Sequence, residues 1–128
     1  MSQQITKAEV QSIRFKCLCA PEPGVLTEEL PGYSLIDVPG LGVCRSVTSK
    51  DGLLQQEKKG SWSVFHLHSG RKIGMFWPTA MQALIVVRAL KGVADWTKTA
   101  EELIKTSGLN TAVSSILQDF NNALARQP

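Results

Sequence analysis

The pattern of apolar residues changes at Trp77-Pro78-Thr79, and this change constrains the fold more than any other feature. Before it, short segments rich in β-forming residues alternate with turns that contain proline or glycine. After it, apolar residues recur at helical spacing between capping residues and glycines. Strands followed by helices are typical of an α+β domain with an antiparallel sheet. We predict about four to five strands within residues 11–77 and about three helices within 79–126.

The strand segments can be placed from alternation and from turn residues. We predict strands at 13–19, 33–38, 41–48, 61–68 and 71–77. Residues 20–32 predict a loop because they contain three prolines and two glycines. Residues 49–60 are largely polar and predict a mobile connection, and residues 1–10 predict a fraying end or a short turn.

The last two strands form the clearest hairpin, around Ser69-Gly70. A two-residue turn there places Trp62 opposite Trp77 and His68 opposite Arg71. A three-residue turn would instead bring Phe76 opposite Trp62. In either register both faces of the hairpin carry aromatic side chains, so at least one large ring lies outside the core unless a helix or a second subunit covers it.

The helical part has clear start and stop signals. Thr79 and Gln82 have capping-box spacing, and Thr99 and Glu102 repeat it. The predicted helices run from residue 79 to about 91, from 99 to 108, and from 111 to 125. Gly92 and Gly108 end the first two.

Composition excludes several classes of protein. The 128 residues suit one domain on the prior of roughly 100–200 residues, and 43% of them are hydrophobic. The longest apolar run is five residues, 83–87, far short of the roughly 20 that cross a membrane. No apolar signal sequence follows Met1. Three cysteines, an odd number, favour a reducing compartment over a disulfide framework. The alternation around Cys17 and Cys19 predicts that both of these thiols face the core. We therefore expect a cytoplasmic protein with no membrane partner.

The net charge of +3 is unevenly distributed along the chain. Residues 58–94 contain six basic residues and no acid, together with four of the eight aromatic residues and both histidines. Cations that neutralise phosphates and rings that stack on bases are what single-stranded nucleic acid requires. The alternative is a hairpin whose aromatics are core and whose cations form a solvated face. The candidate phosphate contacts are Lys58, Lys59, Arg71 and Lys72, the candidate stacking surface is Trp62, His66 and His68, and Arg14 and Lys16 would extend the patch.

Catalytic and metal-binding motifs are not found. Asp37-Val38-Pro39-Gly40 lacks a preceding phosphate-binding loop, and the two adjacent glutamate pairs are not placed for acid–base catalysis. His66 and His68 point the same way on a strand, but no third ligand follows from spacing. We predict a non-enzymatic protein with no cofactor and no metal.

The order of elements over residues 13–92, with the basic and aromatic hairpin at 58–77, resembles the single-stranded-DNA-binding fold of Whirly proteins and the transcriptional coactivator positive cofactor four. The resemblance implies a curved antiparallel sheet followed by a helix, and assembly through the helices. The Lys-Gly-Lys-Ala-Ala-Leu signature of Whirly proteins does not occur in this sequence. No residue role is therefore transferred by position.

Three other interpretations stay open. The almost wholly apolar helix at 80–90 holds more apolar surface than one small sheet easily covers, which predicts a homodimer. The main alternative function is a protein-interaction module, which would use the exposed aromatic sheet face or the last helix through Val113, Ile116, Phe120 and Leu124. A small-molecule or metal-binding domain that uses the two histidines is the third.

Overall fold

Strands come first along the chain and helices come after them, so the predicted α+β order is confirmed. The computed structural model describes residues 5–16, 29–45, 47–50, 53–56, 61–105 and 108–125. The strands are β1 (Val10–Phe15), β2 (Leu30–Leu35), β3 (Leu41–Arg45), β4 (Val47–Lys50), β5 (Leu53–Gln56), β6 (Trp62–His66) and β7 (Lys72–Trp77). The helices are α1 (Ala80–Leu90), α2 (Ala100–Ile104) and α3 (Leu109–Ala125), and a 3-10 turn at Lys7–Glu9 precedes β1.

Five strands form one antiparallel sheet in the order β1-β2-β3-β6-β7. Strands β4 and β5 pair only with each other in the described structure, as a hairpin between β3 and β6. The connection predicted at 49–60 therefore contains most of a two-stranded hairpin. Its side chains are too polar to signal strands by alternation, and backbone pairing between the two segments forms them instead.

Strand β2 begins inside the stretch for which the sequence predicts a loop. Proline and glycine at positions 31 and 32 indicate a loop locally, but pairing with β1 overrides that preference. A Cβ atom on Gly32 would lie 2.3 Å from the carbonyl oxygen of Val43. The glycine is therefore required by the close approach of the neighbouring strand rather than by a turn.

Of the two alternatives predicted for residues 1–10, a fraying end or a short turn, the described part shows a short 3-10 turn at Lys7–Glu9. Ile5 is buried in the main core, and Thr6 caps the 3-10 turn through a reciprocal contact with Glu9. The chain then enters β1 at Val10, three residues before the predicted strand. Burial of Ile5, the ion pair of Glu9 with Arg88 and the hydrogen bond from the N–H of Ile36 to the carbonyl of Glu9 hold this segment against the domain.

The β6–β7 hairpin has an irregular register. Trp62 lies opposite Trp77, as the two-residue turn predicts, but nearer the turn Phe65 lies opposite Lys72. Strand β7 accommodates the shift with a bulge near Gly74, whose φ is +77°. The backbone N–H of His66 donates to the carbonyl of Arg71, so the connection has four residues and His68 does not face Arg71.

Helix α1 lies across one face of the sheet, which we call the helix face. Thr79 accepts a hydrogen bond from the backbone N–H of Gln82, and Gly92 ends the helix region with φ +85°, as predicted. Helix α3 packs against α1 and β7, with Phe120 in edge contact with Trp77. The main core contains the inward residues of α1 together with Leu41, Val43 and Val64.

The other face of the sheet, which we call the second face, carries a smaller apolar cluster of Phe15, Cys44 and Phe65. The two phenylalanine rings lie 5.8 Å apart between centroids. The thiol of Cys44 is free and buried, whereas Cys17 and Cys19, whose thiols the sequence predicts to be buried, lie outside the described residues.

Candidate nucleic-acid interface

The structure divides the predicted hairpin surface between two faces and two ends of the sheet. Trp62 is half-buried at the end of β6 on the helix face. Lys72 is exposed on the second face, where its Nζ lies 3.9 Å from the centroid of the Phe76 ring. Arg71 and His68 are at the turn, at the opposite end of the hairpin from Trp62. These side chains therefore do not form one binding surface.

His66 is not a stacking residue, and that prediction is wrong. Its side chain is buried under the segment that comes after α1. Nε2 lies 3.0 Å from the carbonyl oxygen of Trp96 and 2.9 Å from that of Lys98, and Nδ1 lies 2.8 Å from Oγ of Ser69. Carbonyl oxygens only accept, so Nε2 carries a proton, and in the neutral ring Nδ1 accepts from the serine hydroxyl. The ring thus joins the hairpin turn to residues 95–98.

Two cations of the acid-free window are neutralised by acids from distant parts of the chain. Arg88 contacts Glu9 at 2.7 Å, and Lys91 contacts Asp37 at 3.0 Å. Hydrogen bonds from Arg88 and Lys91 lower the pKa of Glu9 and the pKa of Asp37, respectively. Lys58 and Lys59 lie outside the described residues. The linear charge count therefore overstates the free positive charge near the hairpin.

A different grouping of basic and aromatic side chains lies at one end of the helix face. Arg45 pairs with Trp62 across β3 and β6, and its Cζ lies 5.5 Å from the centroid of the Trp62 ring. The ring of Tyr33 lies 5.8 Å from the ring of Trp62 and is inclined to it by 31°. Arg14 occupies the same end of β1, opposite Pro31. We call Arg14, Tyr33, Arg45 and Trp62 the sheet-end patch.

The members of the sheet-end patch differ in exposure in a way that suits binding. Tyr33 is 38% exposed although it is a large aromatic residue, while Arg45 and Trp62 are half-buried. Arg14 is exposed, and its guanidinium donates to the carbonyl oxygen of Glu29 at 3.0 Å. Lys16 is exposed directly after β1, with the exposed Glu29 in the position next to β2. Trp62 thus packs partly against the core, Arg45 lies over its ring, and Arg14 and Lys16 are exposed at the same end of β1.

Sequence reasoning found Arg14, Lys16 and Trp62 but missed Tyr33 and Arg45. Each lies on a strand that alternation identifies, and Arg45 is on the same face of β3 as Leu41 and Val43. That alternation is the signal that could have found them. Whether these side chains lie next to one another depends on the register of three strand pairs, and the sequence alone does not specify that register.

The last helix does not present its apolar side as a free docking surface. Val113, Ile116 and Phe120 pack against the main core, and the side chain of Leu124 lies outside the described residues. Among the residues that the structure describes, no group of three or more His, Cys, Asp or Glu side chains is placed to hold a metal ion. The described helices include none with the length and apolar character that a membrane span requires.

Comparison with family models, with curated proteins and with solved structures produced no match to this chain. The resemblance to the Whirly type of fold therefore stays a prediction. The geometry of the sheet-end patch is the remaining basis for assigning a function.

Proposed function

We propose that the protein binds single-stranded nucleic acid without catalysis, and that the sheet-end patch is the binding surface. The observation that carries this proposal is the Tyr33–Trp62–Arg45 stack, in which the Tyr33 ring lies 5.8 Å and the Arg45 guanidinium 5.5 Å from the Trp62 ring. A solvent-facing aromatic platform beside cations is the arrangement that binds unpaired bases and their phosphates together. Stacking on such a platform contributes about 1–3 kcal/mol per base.

The roles divide according to exposure. Tyr33 offers the accessible ring on which a base can stack, and Trp62, half-buried below α1, supports it. Arg45 covers the Trp62 ring and keeps its charge at the edge of the platform, where a phosphate can pair with it. Arg14 and Lys16 extend the positive charge across β1 towards the sheet edge. No role in base stacking is left for His66.

Fluorescence anisotropy with a labelled oligothymidylate of roughly 15 nucleotides, long enough for one small domain, tests this proposal. We expect binding at low salt in or below the non-specific range, a Kd of about 10⁻⁴–10⁻⁶ M, and steep weakening as salt rises. Arg45→Gln should reduce the slope of log K against log salt by about 0.7, the value for one phosphate contact with a single strand. Tyr33→Leu should weaken binding about tenfold or more at every salt concentration.

Lys72→Gln is the matched control because Lys72 is also a cation beside an aromatic ring, but on the second face. We expect it to leave the affinity within about twofold and the salt slope unchanged. No binding by the wild-type protein at low salt would overturn the proposal. Binding that Lys72→Gln weakens and that Tyr33→Leu and Arg45→Gln leave intact would move the site to the hairpin and overturn the assignment.

We further propose self-association as a homodimer, which is independent of nucleic-acid binding. The sheet and α3 cover much of the apolar surface of α1, so the apolar character of this helix gives less support to a dimer than the sequence suggests. The remaining support is the part of α1 that the sheet and α3 leave uncovered, including Met81, which is 45% exposed. Light scattering at micromolar concentration tests the dimer, and a strictly monomeric mass would refute self-association.

A further inference from the structure

A cleft of about 500 Å³ opens beside Tyr33, on the side of the helix face away from the hairpin. The 3-10 turn and β1 form one wall, and the first turns of α1 form the other. The lining residues are Ile5, Thr6, Lys7, Val10, Ser12, Tyr33, Ala80, Met81 and Leu84. Its volume falls within the roughly 300–1,000 Å³ that is usual for small-molecule sites.

The chemistry of the lining is asymmetric. Most of the wall is apolar, and Met81 remains 45% exposed at the mouth despite its apolar side chain. Lys7 is the one charged residue among the described lining residues, and it forms no ion pair with a described residue. The carboxylate of Glu9, two positions along, is bound by Arg88 and by the backbone N–H of Thr6 rather than by Lys7. The cleft thus combines an apolar wall with one positive charge.

We propose that this cleft binds a small monocarboxylate with an apolar body, of the size of a medium-chain fatty acid. The apolar body would lie against Val10, Leu84 and Met81, and the carboxylate would meet the ammonium group of Lys7. A mostly apolar wall with a single charged group is typical of sites that bury a hydrophobic ligand and fix its orientation at one end. The proposal does not depend on nucleic-acid binding, because only Tyr33 belongs to both surfaces.

Isothermal titration of the full chain with octanoate and decanoate below their micelle concentrations, and with 1-decanol below its solubility limit, tests the proposal. We expect decanoate to bind roughly tenfold more tightly than octanoate because two further methylene groups are buried. Met81→Glu should weaken decanoate binding more than tenfold, since it removes part of the apolar wall and adds a charge that repels the carboxylate. An acidic residue in the first turn of a helix is favourable, so α1 is expected to stay folded.

Two controls separate the site from general effects. Ile104→Glu adds the same charge at an exposed apolar residue of α2 and should leave decanoate binding unchanged. Lys7→Gln should weaken decanoate several-fold but leave 1-decanol unaffected, and Lys105→Gln should change neither. Arg45→Gln should also leave decanoate binding intact, so failure of this site is distinguishable from failure of nucleic-acid binding.

Absence of decanoate binding, or equal binding by the wild type and Met81→Glu, would overturn the proposal. An equal effect of Lys7→Gln on decanoate and on 1-decanol would also overturn it, because the carboxylate would then not be recognised.

Discussion

Replacement of His66 by leucine tests whether this histidine supports the fold or contacts a ligand. Leucine keeps much of the buried volume but removes both ring nitrogens. The carbonyl oxygens of Trp96 and Lys98 lose their shared donor, and the hydroxyl of Ser69 loses its acceptor. A buried polar group left without a partner costs about 1–3 kcal/mol. The carbonyl oxygen of Lys98 is only partly buried, so water can replace part of its lost hydrogen bond. We therefore expect the free energy of unfolding to fall by about 2–4 kcal/mol in total.

Urea unfolding followed by tryptophan fluorescence measures this loss. With a slope of about 1–3 kcal/mol per molar urea, the midpoint should fall by roughly 1–2 M. His68→Leu is the matched control, since its ring lies 6.1 Å from that of His66 but is not buried. We expect that control to change stability by no more than about 0.5 kcal/mol.

Equal, small shifts for His66→Leu and His68→Leu would refute the reasoning. So would a folded His66→Leu protein with unchanged stability and lost oligonucleotide binding, because the histidine would then act as a ligand contact. The expected result is the reverse: a destabilised protein that, under conditions where it is folded, binds oligothymidylate as the wild type does.

Four further substitutions test the packing, the helix cap and the charges. Gly32→Ala should lower the free energy of unfolding, measured with urea, by the upper part of the roughly 1–3 kcal/mol typical of overpacking. Gly92→Ala should lower it by about 1 kcal/mol, because that site has open space around it but a positive φ. Thr79→Ala should cost about 1 kcal/mol because the first turn of α1 loses its cap. The hydrogen bond from Arg88 lowers the pKa of Glu9. The stabilisation that the Glu9 carboxylate contributes is therefore complete above about pH 4.5 and is lost as the pH falls through the lowered pKa. Glu9→Gln should therefore flatten the dependence of the urea midpoint on pH below about 4.5, and an unchanged acid limb would contradict this.

Features encoded within a few residues could be predicted from the sequence. Thr79 and Thr99 both cap helices as their spacing predicts, and Gly92 adopts the left-handed conformation that ends one. These signals depend on hydrogen bonds and dihedral angles that a short segment forms by itself. The sheet could be predicted for a similar reason, because alternation and turn residues are local.

Features that join distant segments could not be predicted. The partners of His66 lie 30 and 32 residues away, and Arg88 and Glu9 are separated by 79 positions. Alternation shows that a side chain points to one face of a strand, but not which segment covers that face. The bulge in β7 also shifts the register of the hairpin, and the residues of the turn do not specify the size of that shift. The predicted hairpin surface divides because Trp62 and Lys72 lie on opposite faces and because a distant segment buries His66. The sheet-end patch becomes visible only once the strand pairing is known.

The bulge also affects how the protein behaves at high concentration. Strand β7 is an edge of the described sheet, and an edge strand offers unpaired backbone groups to which a strand of another molecule can add. The left-handed Gly74 interrupts the regular spacing of those groups, and exposed Lys72 places a charge beside them. An incoming strand would therefore find only short stretches with matching donors and acceptors. The irregular register of the hairpin thus makes this edge a poor template for intermolecular β-sheet formation.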